Sequence, residues 1–316
     1  MDTLAVLQAN LLSPLVLAFV LGAAATLVRS DLRLPEPLYQ SLAIYLLLAI
    51  GLKGGVALSQ TPAGDFAAPA LATLGLGLLT PLTAYALLRR LGGMDAPNAA
   101  AMAAHYGSVS AVTFIAAQDF AAASGTASEA FMPALVAILE VPAILVALML
   151  VQGGAWQVAL REVLSGRSIV LLLGGLVIGY AIGPEGFAPV ESFFVGGFKG
   201  VLTLFLLEMG LVAARRLRDL REIGFTLLGF GILVPLAHGA LGVYLGWLAG
   251  LSTGGCAVLG AMAASASYIA APAAVRLALP QANPAFYLTA SLGITFPFNL
   301  TLGIPLYLAQ ARWLNA

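Results

Sequence analysis

The chain is 316 residues long, 61% hydrophobic and 9% charged, with 14 Lys plus Arg against 14 Asp plus Glu. Its mean hydropathy is +1.00. Those values exclude a water-soluble globular domain, and zero net charge offers no attractive field to nucleic acid. No phosphate loop of the GxxxxGK type, no HExxH and no nucleophile elbow occurs, so the sequence shows no catalytic constellation.

Apolar runs follow one another with short polar punctuation. About 18 such residues suffice to cross roughly 30 Å of hydrocarbon, and runs this long favour helices over a barrel. Ten spans are predicted, the first over about 11–28. No Lys or Arg precedes Arg29, so the basic region of a cleaved signal is missing and a retained span is expected. The second span, 38–59, carries Lys53, which either snorkels to the outer surface or pairs with an acid. The third covers 67–88.

The fourth span, 97–118, holds the polar run "HYGSVSAVTF" at 105–114. Gly107 interrupts the helix there, and Ser108 is a suitable N-cap for a second half-helix. The fifth, 131–151, contains Glu140 two residues before Pro142, a proline that frees the carbonyl of Ile138. The connection at 152–167 places Trp156, Leu160, Val163 and Leu164 on one helical face, which predicts a short helix on the inner membrane surface.

Spans six, 168–182, and seven, 192–214, follow, the latter with Lys199 and a mid-span Glu208. Span eight is 223–249 and contains His238. Neither His105 nor His238 has metal-ligand spacing, so no transition-metal site is expected and both are assigned structural or gating roles. The ninth, 254–276, includes the single Cys256, a small packing residue, and the run "SASYIAAP". Ser267 occupies the place of a restart there, and Pro272 leaves the Tyr268 carbonyl without its helical donor. The tenth, 284–311, carries Thr295, Pro297 and Asn299.

Arginine placement sets the orientation. The loops after the odd-numbered spans hold Arg29, Arg33, Arg89, Arg90, Arg161, Arg167, Arg215, Arg216, Arg218, Arg221 and Arg276, whereas the opposite loops and both termini hold Arg312 alone. Both termini are therefore expected on the non-cytoplasmic side.

The two halves echo each other. AMAA recurs at 101–104 and 261–264, and Phe131 with Pro142 matches Phe286 with Pro297. "LLLAIGL" at 46–52 pairs with "FLLEMGL" at 205–211, and "LTPL" at 79–82 with "LVPL" at 233–236, all at offsets of 154 to 160. The halves, 1–151 and 168–316, are thus expected to be five-span repeats joined by 152–167. An odd span count inverts the second copy, which is the arrangement of secondary transporters, with substrate held between the repeats.

Two broken helices meeting at mid-membrane make chemistry possible without Lys or Arg. The free N–H groups around Val109–Ala111 and Tyr268–Ala270 would carry partial positive charge suited to a small anion. Ser110 and Thr113, three apart, share a face and could ligate a hard cation. Glu140, with Thr295 and Asn299 in the other half, supplies either further cation ligands or proton-titrating sites.

At these residues the chain resembles a known family. "YGSVSAVTF", "MPALVAILEVPAI" and "SASYIAAPAAVRLALPQANPAFYLTASLGITFPFNLTLGIPLY" are similar to the SbtA family of sodium-dependent bicarbonate transporters. So are "IYLLLAIGLKGG" and "REVLSGRSIVLLLGGLVIG". The resemblance implies an all-α membrane protein of core and gate parts, a homotrimer, and Na⁺-coupled bicarbonate uptake by elevator-like movement. It places the anion between the broken helices, at Gly107, Ser108, Val109, Ser110, Ser267, Tyr268 and Ile269. It also implies a PII-like cytoplasmic regulator, against which the compact connection at 152–167 speaks. Backbone amides recognise anions generically, so a Na⁺ or H⁺ symporter for a carboxylate, or a non-transporting anion sensor, are the competing readings.

Overall fold

The computed structural model describes residues 12–152, 156–216 and 220–316, and these are nearly all helical, with no strand among them. Residue 11 of the first predicted span, residues 153–155 of the connection and Arg218 lie outside the described residues. Seven helices are long and apolar enough to cross a membrane, and two shorter apolar ones accompany them.

The first helix among the described residues, α1 (Pro14–Leu27), starts where Ser13 accepts the Val16 N–H at 3.3 Å. It stops where Arg29 turns into the left-handed region at φ 60° and the Ser30 N–H returns to the Ala25 carbonyl. Then come α2 (Glu36–Ser59) and α3 (Ala63–Arg90). The fourth predicted span is two helices, α4 (Ala96–Gly107) and α5 (Ala111–Ala123), followed by α6 (Met132–Gln152) and the short α7 (Trp156–Ser165). Val163 of α7 is buried while Leu164 is exposed, so the helix rests on the bundle along part of its apolar face.

Next, α8 (Arg167–Glu191) is bent at Gly183, whose φ of 61° only glycine adopts cheaply, with Pro184 restarting the chain as a helix. A π turn (Ser192–Gly196) leads into α9 (Phe198–Arg216). The rest comprises α10 (Leu220–Leu248), α11 (Thr253–Ala263), α12 (Ala270–Ala278) and α13 (Pro284–Leu314). The last of these widens into π turns at Thr289–Thr295 and Asn299–Gly303, on either side of Pro297. A proline removes one ladder bond, and π turns re-register what remains.

Helix packing in a bilayer relies on small residues that let backbones approach. A Cβ on Gly51 of α2 would lie 2.5 Å from the Leu172 carbonyl oxygen of α8 and 3.0 Å from Gly175 Cα. A Cβ on Gly210 of α9 would meet the Phe19 carbonyl of α1 and lie 2.9 Å from the Ala23 nitrogen. In return, Gly175 faces Leu48 and Leu52, and Gly22 faces Leu207 and Leu211. Thus α2 with α8, and α1 with α9, pack backbone to backbone.

Two intramembrane ions sit differently from the sequence expectation. Glu208 is not an isolated mid-span charge, because its Oε2 accepts the Leu34 N–H at 3.3 Å and so fastens the α1–α2 connection. Lys53 holds its Nζ 4.9 Å over the Phe198 ring, and the nearby Asp119 is paired with Lys199 instead.

Candidate functional site

The two broken helices cross and bond to each other at their breaks. Ser110 N–H donates to Ser265 Oγ at 2.8 Å, and Ser267 N–H donates to the His105 carbonyl at 2.8 Å. Ser265 Oγ in turn donates to the Met262 carbonyl at 2.8 Å, which fixes its lone pairs toward Ser110. Each bond joins one half of the chain to the other, so neither break can form alone.

Ser110, not Ser108, restarts the first of these helices. Its hydroxyl accepts the Thr113 N–H at 3.1 Å, whereas Ser108 ends α4 in an extended conformation, φ −94° and ψ 164°. The reason is length: the break needs three extended residues to clear the crossing segment, which moves the cap two positions on. On the second helix, Ser267 Oγ accepts the Ala271 N–H at 3.3 Å, acting as a cap from outside the first turn. The Ala111 and Val112 N–H groups, and that of Ala270, have no acceptor among the described residues.

A small crevice lies at the crossing, with about 210 Å³ of empty space that includes open solvent at its mouth. Val109, Ser110, Ser267, Tyr268 and Ile269 line it, joined by Glu140 from α6, Leu47 from α2 and Ala111. Five of the seven residues expected to hold an anion are therefore gathered on one cavity. Gly107 and Ser108 are not on it. Gly107 abuts the Pro81 ring of α3, to which a Cβ would come within 2.8 Å, and its carbonyl approaches Thr80 Oγ1 at 3.4 Å. Ser108 is fully buried, and its hydroxyl finds no partner among the described residues.

The expected cation ligands divide. Ser110 and Glu140 share the cavity, with Thr113 buried one turn behind. Thr295 and Asn299 do not reach it. Thr295 Oγ1 donates to the Gly231 carbonyl at 2.7 Å and pairs with the Tyr106 hydroxyl at 2.7 Å. Asn299 Nδ2 donates to the Ala264 carbonyl at 2.8 Å, while its Oδ1 accepts the Tyr307 hydroxyl at 3.1 Å. These two side chains brace the breaks. Asn299 satisfies the carbonyl that α11 leaves open where it ends, and Thr295 ties α4 to α10. Replacing Asn299 with leucine orphans that buried carbonyl and is expected to cost about 1–3 kcal/mol of stability. An unchanged thermal unfolding profile in detergent would count against this bracing role.

His105 and His238 each engage one ring nitrogen, while His105 Nε2 and His238 Nδ1 have no hydrogen-bond partner among the described residues. His105 Nδ1 bonds the Ala101 carbonyl at 2.6 Å and its ring stacks on Tyr287 with centroids 4.3 Å apart. His238 Nε2 meets Thr83 Oγ1 at 2.8 Å. No group of three or more His, Cys, Asp or Glu suited to a metal ion occurs among the described residues.

Sequence reasoning missed Leu47 and Ser265. Ser265 carried a signal, since the AMAA register sets it opposite His105 at an offset of 160. Leu47 carried none, being one apolar residue among many on α2.

Chemically, the cavity brings two unlike sets of groups together. Unpaired N–H groups at two helix starts present partial positive charge. The Glu140 carboxylate, the hydroxyls of Ser110 and Ser267, and the Tyr268 hydroxyl beside Ser110, which has no well-formed hydrogen bond, present oxygens. An ionised Glu140 would repel an anion placed alone beside it, whereas a hard cation between the two would remove that repulsion.

No curated protein matches the chain. One family model does, over residues 14–312, which takes in every helix from the first residue of α1 to the last turn of α13. The chain belongs to the Na⁺-dependent bicarbonate transporter superfamily, a family of membrane transporters and not of enzymes.

Proposed function

We propose that the protein is a Na⁺-coupled bicarbonate symporter that loads both ions at the crossing of its broken helices. The observation that carries this reading is the crevice at the crossing, which residues of both half-helix starts and Glu140 line together. Bicarbonate would take the amides of Ala111, Val112 and Ala270 together with Ser110, Ser267 and Tyr268. Na⁺ would lie toward Glu140 and the Ser110 hydroxyl, its charge separating anion from carboxylate. Moving one bicarbonate into a negative interior costs about 2.3 kcal/mol per 100 mV. One accompanying Na⁺ cancels that electrical cost, and its own gradient then drives accumulation.

The architecture we infer is ten spans in two inverted five-span repeats, in a bacterial plasma membrane with both termini outside the cytoplasm. The bend at Gly183 divides the stretch Arg167–Arg216 into two spans, and Pro14–Leu27 and the α11–α12 pair supply those too short to qualify by length. Support for the inversion comes from paired contacts. Gly51 on Leu172 and Gly210 on Phe19 are equivalent at offsets of 159 and 153, as are Gly175 on Leu48 and Gly22 on Leu207. The two breaks also bond each other in both directions, through Ser110 N–H on Ser265 and Ser267 N–H on the His105 carbonyl. Each half-helix start is also fastened to the approach of the other half's last span: Asn98 Oδ1 accepts the Asn283 N–H at 2.7 Å, and Glu129 Oε1 the Ser252 N–H at 2.5 Å.

Transport would follow by elevator-like sliding of the cavity-bearing helices past α1, α2, α8 and α9, within a homotrimer. The test is uptake of radiolabelled bicarbonate into liposomes with an inward Na⁺ gradient. Uptake that rises with the gradient and collapses when Na⁺ is replaced by K⁺ is the expected result. Uptake that is absent or indifferent to Na⁺ sinks the proposal, and competition by a carboxylate instead would point to that substrate class.

A further inference from the structure

Two groups of helices meet in this fold, and an ion pair joins them. In one group, α1 lies against α9 and α2 against α8, and Tyr39 of α2 stacks on Phe205 of α9 with centroids 5.2 Å apart. In the other, α5 packs on α11 and on the C-terminal part of α13, and its break is bonded to that of the α11–α12 pair. Apolar contacts prominent where the groups meet include Phe19 on Phe296, at 5.3 Å, and Gly54 against Pro133. Surfaces of that kind slide without a large penalty in lost hydrogen bonds.

Set against this interface, Lys199 Nζ of α9 lies 3.0 Å from Asp119 Oδ1 of α5. Asp119 is nine residues beyond Ser110, about 13 Å along α5 from the cavity lining. Lys53 of α2 stands next to them over the Phe198 ring, so both lysines of the chain converge here from 146 positions apart in sequence.

We propose that the Asp119–Lys199 pair is a latch: it holds the arrangement described here and opens whenever the cavity-bearing helices slide past the other group. This rests on the sliding reading of transport given above. The side chains are 73% exposed for Lys199 and 28% for Asp119, and exposed pairs bias an equilibrium by roughly two- to five-fold. A bias of that size suits a latch, since a much stronger bond would trap one state.

The test places nitroxide labels at Ala122 on α5 and Val195 before α9, both exposed in the full-length protein, while Cys256 stays buried and unlabelled. Pulsed electron-paramagnetic-resonance distances are then recorded in liposomes. The native pair should give two distances, and Asp119→Asn should raise the share of the longer one two- to five-fold. The charge swap, Asp119→Lys with Lys199→Asp, should return the native distribution, which also guards against misfolding of the single variant. Identical distributions in all three proteins overturn the latch. Bicarbonate uptake in the same liposomes keeps the two ideas apart. Shifted distances without uptake leave the latch and sink the symport reading, whereas normal uptake with unmoved distances does the reverse.

Discussion

Replacing Gly210 with valine lowers the stability of the detergent-solubilised protein by about 1–3 kcal/mol, read as a drop of several degrees in its melting temperature. The cause is overpacking against atoms that cannot yield. A Cβ there meets the Phe19 carbonyl and comes within 2.9 Å of the Ala23 nitrogen, both backbone of α1. Side chains can rotate away from an intruder, but a helical backbone moves only as a whole helix. Gly51→Val should do the same between α2 and α8, where Leu172 O and Gly175 Cα block the Cβ at 2.5 and 3.0 Å. The informative control is Gly75 of α3, which has open space around its missing Cβ. Gly75→Val, also in a helix, should cost nothing, because valine is the better helix former by roughly a few tenths of a kcal/mol. If all three variants melt together, the close helix approaches do not carry the stability assigned to them.

The pairing of Gly51 with Gly210 was within reach of the sequence, since "AIGL" and "EMGL" align in the two halves. What the sequence could not supply was the partner of each glycine. Identical spacing shows that two helices share a pattern, not which neighbour each touches. The same boundary runs through the candidate site. Both breaks were legible, because a glycine or proline amid Ser and Thr has few other uses in an apolar helix. The residues on the cavity were largely legible too, since six of the eight that line it lie in the repeat-matched breaks and Glu140 was marked by its mid-span charge.

The cap position was not legible. Ser108 and Ser110 are both acceptable caps by type, and the choice between them depends on how many extended residues the crossing helix demands. Nor could spacing supply the partners of the polar residues around Pro297. Thr295 and Asn299 were expected at the cation because they are polar and precede or follow Pro297. They are held instead by the Gly231 and Ala264 carbonyls, groups from distant helices that only the tertiary structure brings near. Glu208 illustrates the same limit, since its partner, the Leu34 N–H, is a backbone group with no sequence signature.

That distinction between cap and neighbour gives the sharpest test of the site. Ser110→Ala is expected to raise the bicarbonate concentration for half-maximal uptake about fivefold or more and to lower stability as well. The hydroxyl that accepts the Thr113 N–H disappears, and losing an N-cap costs about 1 kcal/mol of stability in the free and the loaded protein alike. The same hydroxyl lines the cavity, and a missing hydrogen bond to an ion costs ~1 kcal/mol or more of affinity. Only the second loss sets the shift in uptake, a factor of ten corresponding to 1.4 kcal/mol. Ser108→Ala, the same chemical change two residues away, should leave uptake within about twofold and the protein at least as stable. Its hydroxyl is buried without a partner among the described residues, so removing it forfeits no bond and relieves a desolvated polar group. Uptake kinetics in liposomes separate the two outcomes directly. Equal losses in both variants would mean that the whole break, and not the cavity-facing serine, binds the anion. A larger loss in Ser108→Ala would place the ion on the other side of the crossing.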